Sequence, residues 1–299
     1  MRIAVVGARG QLGGAIVHEL QPDHDLHPLD RSALDVTRPD DVEAVIDAIR
    51  PEAIINCTGY NAVDAAEAHP VEALSVNAIA LATLARSARV CGAMLVHYSS
   101  DFVFDGRHDR PYTEEDAPNP RSVYATSKLL GEWLALQAPA AWVLRVASLF
   151  DSAPGAAAEG SVATIVEALR SGRAARVFSD RIVTPTSVVD AARATRLILE
   201  RRIPTGLYHC VNSGSGTWVD IAREAARILG IEPHLEIVRM ADVTMPAERP
   251  IYCVLSNEKL ARAGVTMPSW QDALGRSLRR VGNEPRDQAP DRQTGRETG

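Results

Sequence analysis

No stretch of the 299-residue chain reaches the roughly 18 consecutive apolar residues of a membrane span, so none is expected. Basic charge is not in excess: 32 Lys and Arg stand against 38 Asp and Glu, a formal net charge of −6. That balance argues against nucleic acid or an anionic membrane as partner, since both demand a concentrated basic surface. Cysteine is scarce. Cys57, Cys91, Cys210 and Cys253 show no CxxC or metal-ligand spacing, so buried reduced thiols and no metal site are expected. Met1-Arg2 leads straight into Ile3-Ala4-Val5-Val6-Gly7, too short an apolar segment for a signal peptide. The expectation is a cytoplasmic protein. Internal repeats are absent too.

What is present is a regular alternation. Residues 2–6 form a short β-branched run ending in glycine, and residues 11–20 carry helical periodicity. Strands follow at 25–29, 53–57, 94–98 and 142–146, with helices at 39–50, 70–91 and 123–137 between them. Nearly all-apolar strands alternating with helices imply an α/β fold, a doubly wound parallel sheet of Rossmann type covered on both faces. Beyond Phe150 the pattern changes. Residues 151–160 are rich in Ala, Gly and Ser and read as a flexible loop. Helices are expected at 162–171, 188–200, 218–229 and 270–280, with strands at 206–211 and 235–238. The strand at 206–211 is placed to rejoin the main sheet. This gives a dinucleotide-binding domain of 1–150 plus about 184–212, a smaller C-terminal lobe of about 151–183 and 213–280, and a disordered tail at 281–299 with little to bury.

Gly7-Ala8-Arg9-Gly10-Gln11-Leu12-Gly13 is a GxxGxxG run between a strand and a helix, the context in which such a motif binds a dinucleotide. Glycine lets the backbone approach a pyrophosphate, and the helix N-terminus offers free N–H groups. Asp30 closes the next strand, where a carboxylate can hold the adenosine ribose. Here the signal divides. Asp30 favours NADH by repelling a 2′-phosphate, whereas Arg9 and Arg31 could bind that phosphate; the balance leans to NADPH and leaves NADH open. Cys57-Thr58-Gly59-Tyr60 follows a buried strand and reaches the same sheet edge. Asn77 is polar within an apolar helix, and a bond to its own turn competes with a supporting role. Tyr124-Ala125-Thr126-Ser127-Lys128 puts a phenol and an ammonium on one helix face, where the cation can lower the phenol toward working pH. Ser100, ending the strand His97-Tyr98-Ser99-Ser100, can donate to a substrate carbonyl beside it.

With these residues in place, the chain resembles the extended short-chain dehydrogenase/reductases, and among them the dTDP-4-dehydrorhamnose reductase family. The stretches carrying this are Asn61 to Glu67, Val76-Asn77-Ala78, Asp101-Phe102-Val103-Phe104-Asp105-Gly106, Pro111-Tyr112-Thr113-Glu114, Tyr124 to Lys128, Gly131-Glu132, Thr184-Pro185-Thr186, Gly206-Leu207-Tyr208-His209 and Arg249-Pro250. The resemblance implies Ser100, Tyr124 and Lys128 as catalytic residues. It implies Gly7, Gly10, Gln11, Leu12, Gly13, Asp30 and the 57–60 segment around NAD(P)H; Arg31, Asn77, Tyr124 and Lys128 are expected beside the same cofactor. It further implies Val63, Ser100, Asp101, Phe102 and Arg249 beside a nucleotide-sugar, with Arg249 at the diphosphate.

Two departures bear on the pocket. An aromatic normally follows the next strand of the family against the sugar, but here the chain reads Arg145-Val146-Ala147-Ser148, and the ensuing turn is the longer 151–160 segment. Some members dimerise around a metal held by a carboxylate where Ala15 stands here. A monomer or weak homodimer without metal is therefore expected. The resemblance leaves three activities: reduction of dTDP-4-dehydrorhamnose, reduction of another nucleotide-linked deoxyhexose, or a non-catalytic role like that of the methionine adenosyltransferase regulatory subunit.

Overall fold

The computed structural model describes residues 1–153, 156 and 159–283; the expected tail from 284 onward lies outside the described residues. The first half runs β1 (Arg2–Val6), α1 (Gln11–Leu20), β2 (Asp25–Leu29), α2 (Pro39–Ile49), β3 (Ala53–Asn56), α3 (Val63–Ala68), α4 (Pro70–Leu74), α5 (Ala80–Cys91), β4 (Met94–Ser100), α6 (Val123–Ala135) and β5 (Ala141–Val146). The remainder runs β6 (Leu149–Phe150), α7 (Ser161–Arg170), β7 (Ala175–Phe178), β8 (Ile182–Val183), β9 (Thr186–Ser187), α8 (Val188–Arg201), β10 (Gly206–His209), β11 (Gly216–Thr217), α9 (Trp218–Leu229), β12 (Leu235–Val238), β13 (Tyr252–Cys253), α10 (Glu258–Arg262) and α11 (Trp270–Asn283).

Six strands pair in the order β10-β5-β4-β3-β1-β2, every neighbouring pair parallel. β1 shows why both faces must be covered. Ile3 and Val5 join α1 and α8 in one core, Ala4 and Val6 join α2 and α5 in another, and all four side chains are fully buried. The expected return of the chain at 206–211 is the edge strand β10, beside β5. Because β1 sends the chain outward to β2 on one side and lies against β3 on the other, a crevice opens beyond the carboxyl ends of β1 and β3.

A third core gathers Phe150, Val162, Ile165, Val177, Trp218 and Leu274 from elements after β5. There β7 pairs with β12, and β8 lies between β11 and β13. Three expectations change in detail. The helix expected over 70–91 is broken by a wide π-turn at Ser75–Ile79 between α4 and α5. The fourth strand runs beyond the expected 94–98 to Ser100, which agrees with the strand-end position expected for that serine. The 151–160 segment does not begin as a flexible loop. Asp151 is buried and accepts hydrogen bonds from Ser187 Oγ (3.0 Å), Ser277 Oγ (2.9 Å) and Arg280; residues 154, 155, 157 and 158 lie outside the described residues.

Candidate active site

The glycine loop is built by close approach. Gly7 has φ +80°, and a Cβ on it would stand 3.0 Å from the Cys57 carbonyl carbon and the Thr58 nitrogen, so only glycine lets β1 pass that close to the end of β3. A Cβ on Gly13 would collide with the Gly7 carbonyl, which keeps α1 seated on the loop. Gly10 caps α1 without a side-chain partner for the first-turn N–H groups. The result is a bare, donor-lined mouth, a cradle that fits a pyrophosphate.

Two connected spaces open from this loop. The inner one, about 360 Å³, is lined by Gly7, Arg9, Asp30, Arg31, Gly59 and Tyr60. It shares Gly10, Cys57, Thr58 and Asn61 with the larger cleft, about 510 Å³. In the inner space Asp30 spends one oxygen on Ser32 and the Ala33 N–H and the other on Arg9, whose Nε lies 2.7 Å away. Hydrogen bonds from Ser32 and Ala33 hold its carboxyl below the usual range. The Asp30 charge is thus already offset by Arg9.

The larger cleft holds Gln11, Leu12, Val63, Ser100, Asp101, Phe102, Tyr124, Lys128 and Arg249, and so brings together most residues expected at the reaction site. Gly13 and Asn77 do not line either space. Asn77, expected beside the cofactor, is fully buried. Its Oδ1 accepts the Tyr60 N–H at 2.8 Å, and its Nδ2 donates to Ser127 Oγ at 2.9 Å and the Tyr60 carbonyl at 3.2 Å. Ser127 in turn donates to the Tyr124 carbonyl at 2.7 Å. Asn77 therefore braces the 57–60 segment against α6 and touches nothing in the cleft.

Ser122 caps α6, accepting from the Ala125 N–H at 3.2 Å, and so starts the helix where Tyr124 and Lys128 face the end of β4. Lys128 Nζ donates to the Tyr98 carbonyl at 2.6 Å. Burial pushes the ammonium down to about 8, against the opposing pull of Glu132. Burial likewise pushes the Tyr124 phenol up to about 12, with the Ser100 hydroxyl pulling the other way. This corrects the expectation that Lys128 draws the phenol toward neutrality: desolvation dominates, and the Lys128 ammonium is committed to the strand carbonyl. Ser100 Oγ donates to Asp101 Oδ1 at 3.0 Å and accepts the Phe102 N–H at 3.2 Å. The Phe102 ring meets Tyr124 edge-on, centroids 5.7 Å apart.

Arg249 reaches the cleft with both terminal nitrogens on Asp64, at 2.8 and 2.7 Å. Arg181, Trp218 and Glu159 also line the cleft and were not singled out by sequence reasoning. Arg181 and Glu159 lie in irregular segments far from the glycine and Tyr-Lys motifs, and Trp218 opens α9, where it reads as a core residue of the helix. Gln11 ties that side down, its Nε2 donating to the Asp151 carbonyl at 2.7 Å and the Glu159 carbonyl at 3.3 Å.

Comparison with known proteins agrees with this geometry. The sequence profile of the RmlD substrate binding domain matches residues 1–283. The chain is 37% identical over 281 residues to a probable dTDP-4,6-dihydroxy-2-methyloxan-3-one 4-ketoreductase of Streptomyces antibioticus, covering 92% of this chain and 93% of that one. It is 33% identical over 296 residues to the dTDP-4-dehydrorhamnose reductase of Escherichia coli, covering 93% and 97%. A crystal structure of dTDP-4-dehydrorhamnose reductase from Bacillus anthracis in complex with NADP superposes with a TM-score of 0.87 at 30% identity, over 93% of this chain and 98% of that one.

Proposed function

We propose that this chain, which belongs to the RmlD substrate binding domain family, is a reductase of the C4 keto group of a dTDP-4-keto-6-deoxyhexose, with dTDP-4-dehydrorhamnose to dTDP-L-rhamnose the favoured reaction. The observation that carries this is one cleft in which Ser100, Tyr124 and Lys128 face the donor-lined mouth of α1 at Gly10 to Leu12.

NADPH, held by Gly7, Gly10, Gln11, Leu12 and the 57–60 segment, supplies the hydride when bound. The protein's own part is the proton. Tyr124, pushed up to about 12, keeps its proton throughout the physiological range and delivers it to the C4 oxygen. Ser100 swings its hydroxyl from Asp101 to share that oxygen and steadies the charge that develops there. Lys128, fixed by the Tyr98 carbonyl, presents its ammonium to the nicotinamide ribose and to the phenol as it loses its proton. Hydride on carbon and proton on oxygen complete the alcohol. Arg9 offsets Asp30, and Arg9 and Arg31 both line the inner space, which supports NADPH over NADH.

Division of labour follows from the packing: the parallel sheet carries cofactor and acid, and the core around Phe150 and Trp218 supports the sugar side. Trp218 stands in the cleft that Ser148 also lines, and it is the aromatic wall on offer to the sugar. A monomer or weak homodimer is the working assembly. A different deoxyhexose is the second reading, favoured by the name of the Streptomyces antibioticus relative. Turnover of a panel of dTDP-4-keto-6-deoxyhexoses, with and without the C2 hydroxyl and each product identified by NMR, decides between them; highest kcat/KM on dTDP-4-dehydrorhamnose supports the first reading, and preference for a 2-deoxy sugar replaces it.

A further inference from the structure

We infer that Arg181, not Arg249, is the guanidinium that holds the substrate's diphosphate, and that Arg249 instead fixes the cleft wall. The inference rests on the nucleotide-sugar reading and concerns which side chain anchors it.

The two arginines enter the same cleft in opposite conditions. Arg249 is committed. Its Nη1 and Nη2 fork onto both oxygens of Asp64, Nη1 also donates to the Ala247 carbonyl at 3.2 Å, and the Ala247 N–H closes the ring onto Asp64 Oδ1 at 3.1 Å. Those contacts hold the Asp64 carboxyl below its usual range. The planar donors that suit a phosphate are therefore already filled by a carboxylate, and taking Arg249 away would strand Asp64.

Arg181 is uncommitted. Its Nε is buried without a hydrogen-bond partner among the described residues, and Nη2 makes only a long contact of 3.9 Å to Cys253 Sγ. No carboxylate among the described residues lies within ion-pairing distance of it; Asp101, the acidic neighbour whose charge it feels, sits beyond that reach. A buried guanidinium nitrogen left without a partner is costly, and an anionic ligand that meets it removes that cost on binding. Its place fits as well. The guanidinium lies over Phe102 with Cζ 5.2 Å from the ring centroid, and Phe102 meets Tyr124 across 5.7 Å. Arg181 and the proton donor thus flank one aromatic ring, which puts the guanidinium within reach of the C1 substituent of a sugar whose C4 lies at Tyr124. The next residue, Ile182, is paired on both sides, with Tyr252 and Thr217, which makes the position rigid.

The test is calorimetric titration of the full chain, saturated with NADP⁺, with thymidine, dTMP and dTDP. Wild type is expected to gain affinity with each phosphate. Arg181→Gln should weaken dTDP about ten- to a hundredfold, the range of a lost charge-assisted contact, and leave thymidine unchanged; Arg181→Lys should restore part of the loss. Arg249→Gln, checked for folding by its melting temperature, should keep the wild-type ratio of dTDP to thymidine affinity. A wild-type ratio in Arg181→Gln, or its loss in Arg249→Gln alone, overturns the assignment. Running uridine and guanosine series in parallel separates the two levels of the argument. If only UDP or GDP binds and depends on Arg181, the anchor stands and the dTDP reading falls; if wild type binds none of the three diphosphates, the anchor falls.

Discussion

Tyr124 and Lys128 are shifted in opposite directions by the same cause, burial, and each shift has a measurable outcome. Removing only the phenolic hydroxyl with Tyr124→Phe should lower kcat about 10²- to 10⁴-fold, the usual weight of a general acid, and leave NADPH affinity within about twofold. Near wild-type turnover would show that Tyr124 is not the acid. Lys128 carries the pH dependence. With its ammonium near about 8, kcat/KM should fall as pH rises through that value. The sign for stability is the reverse: between about 8 and the ordinary lysine value near 10.4, the unfolded chain binds the proton more readily, so the fold gains stability as pH rises. Thermal melts of wild type and Lys128→Met across that window should show wild type gaining on the variant; a constant difference would remove the buried-charge account. The Tyr-Lys pair and Ser100 were legible in sequence because helical spacing and a strand end place them. The upward shift of Tyr124 was not, because spacing reports which groups are neighbours and not how far each is withdrawn from water.

At the scale of elements, α6 is the part that must not move. Glu132, on the turn after Lys128, forms a two-pronged pair with Arg145 of β5 at 2.8 and 2.7 Å, both side chains 2% exposed. Glu132→Ala strands a buried guanidinium and should cost roughly 3–5 kcal/mol of stability, read by denaturant unfolding; a cost under about 1 kcal/mol would show that the pair is not what pins α6. On its other side Gly131 lies against the Asn77 carbonyl so closely that a Cβ would clash, at the wide π-turn 75–79. Gly131→Ala should therefore push the turn away, loosen the Asn77 hold on Tyr60, and weaken cofactor binding along with stability. Unchanged NADPH affinity in a folded variant would separate the brace from the cofactor segment. The alternation of strands and helices could be read from apolar runs, but the π-turn could not, since Ser75 to Ile79 continues the surrounding composition and its extra residue is imposed by packing against α6. Arg181 escaped notice because it lies in the irregular link between β7 and β8, which carries no periodicity, and Trp218 because it opens α9, where a buried aromatic reads as an ordinary core residue.

For the whole molecule, two buried histidines set the acid limit. Burial, with Arg145 adding to it, pushes His209 down to about 3, and His97 is also lowered well below its usual value. The unfolded chain takes up these protons near 6.5 while the fold refuses them, so stability should be full above that pH and decline steadily as pH falls toward 3. Melting temperature followed downward from pH 7, compared with His209→Asn, checks this; parallel curves would contradict it. No helix among the described residues is long and apolar enough to cross a membrane. The central claim is that one cleft joins a hydride source to the Tyr124 proton. NADPH oxidation by the wild-type chain with dTDP-4-keto-6-deoxyhexoses, product alcohol counted against cofactor consumed, tests it most directly. The account predicts one alcohol per NADPH with at least one such sugar, near-complete loss in Tyr124→Phe and slower turnover with NADH. Intact NADPH binding without turnover of any of these sugars would contradict it.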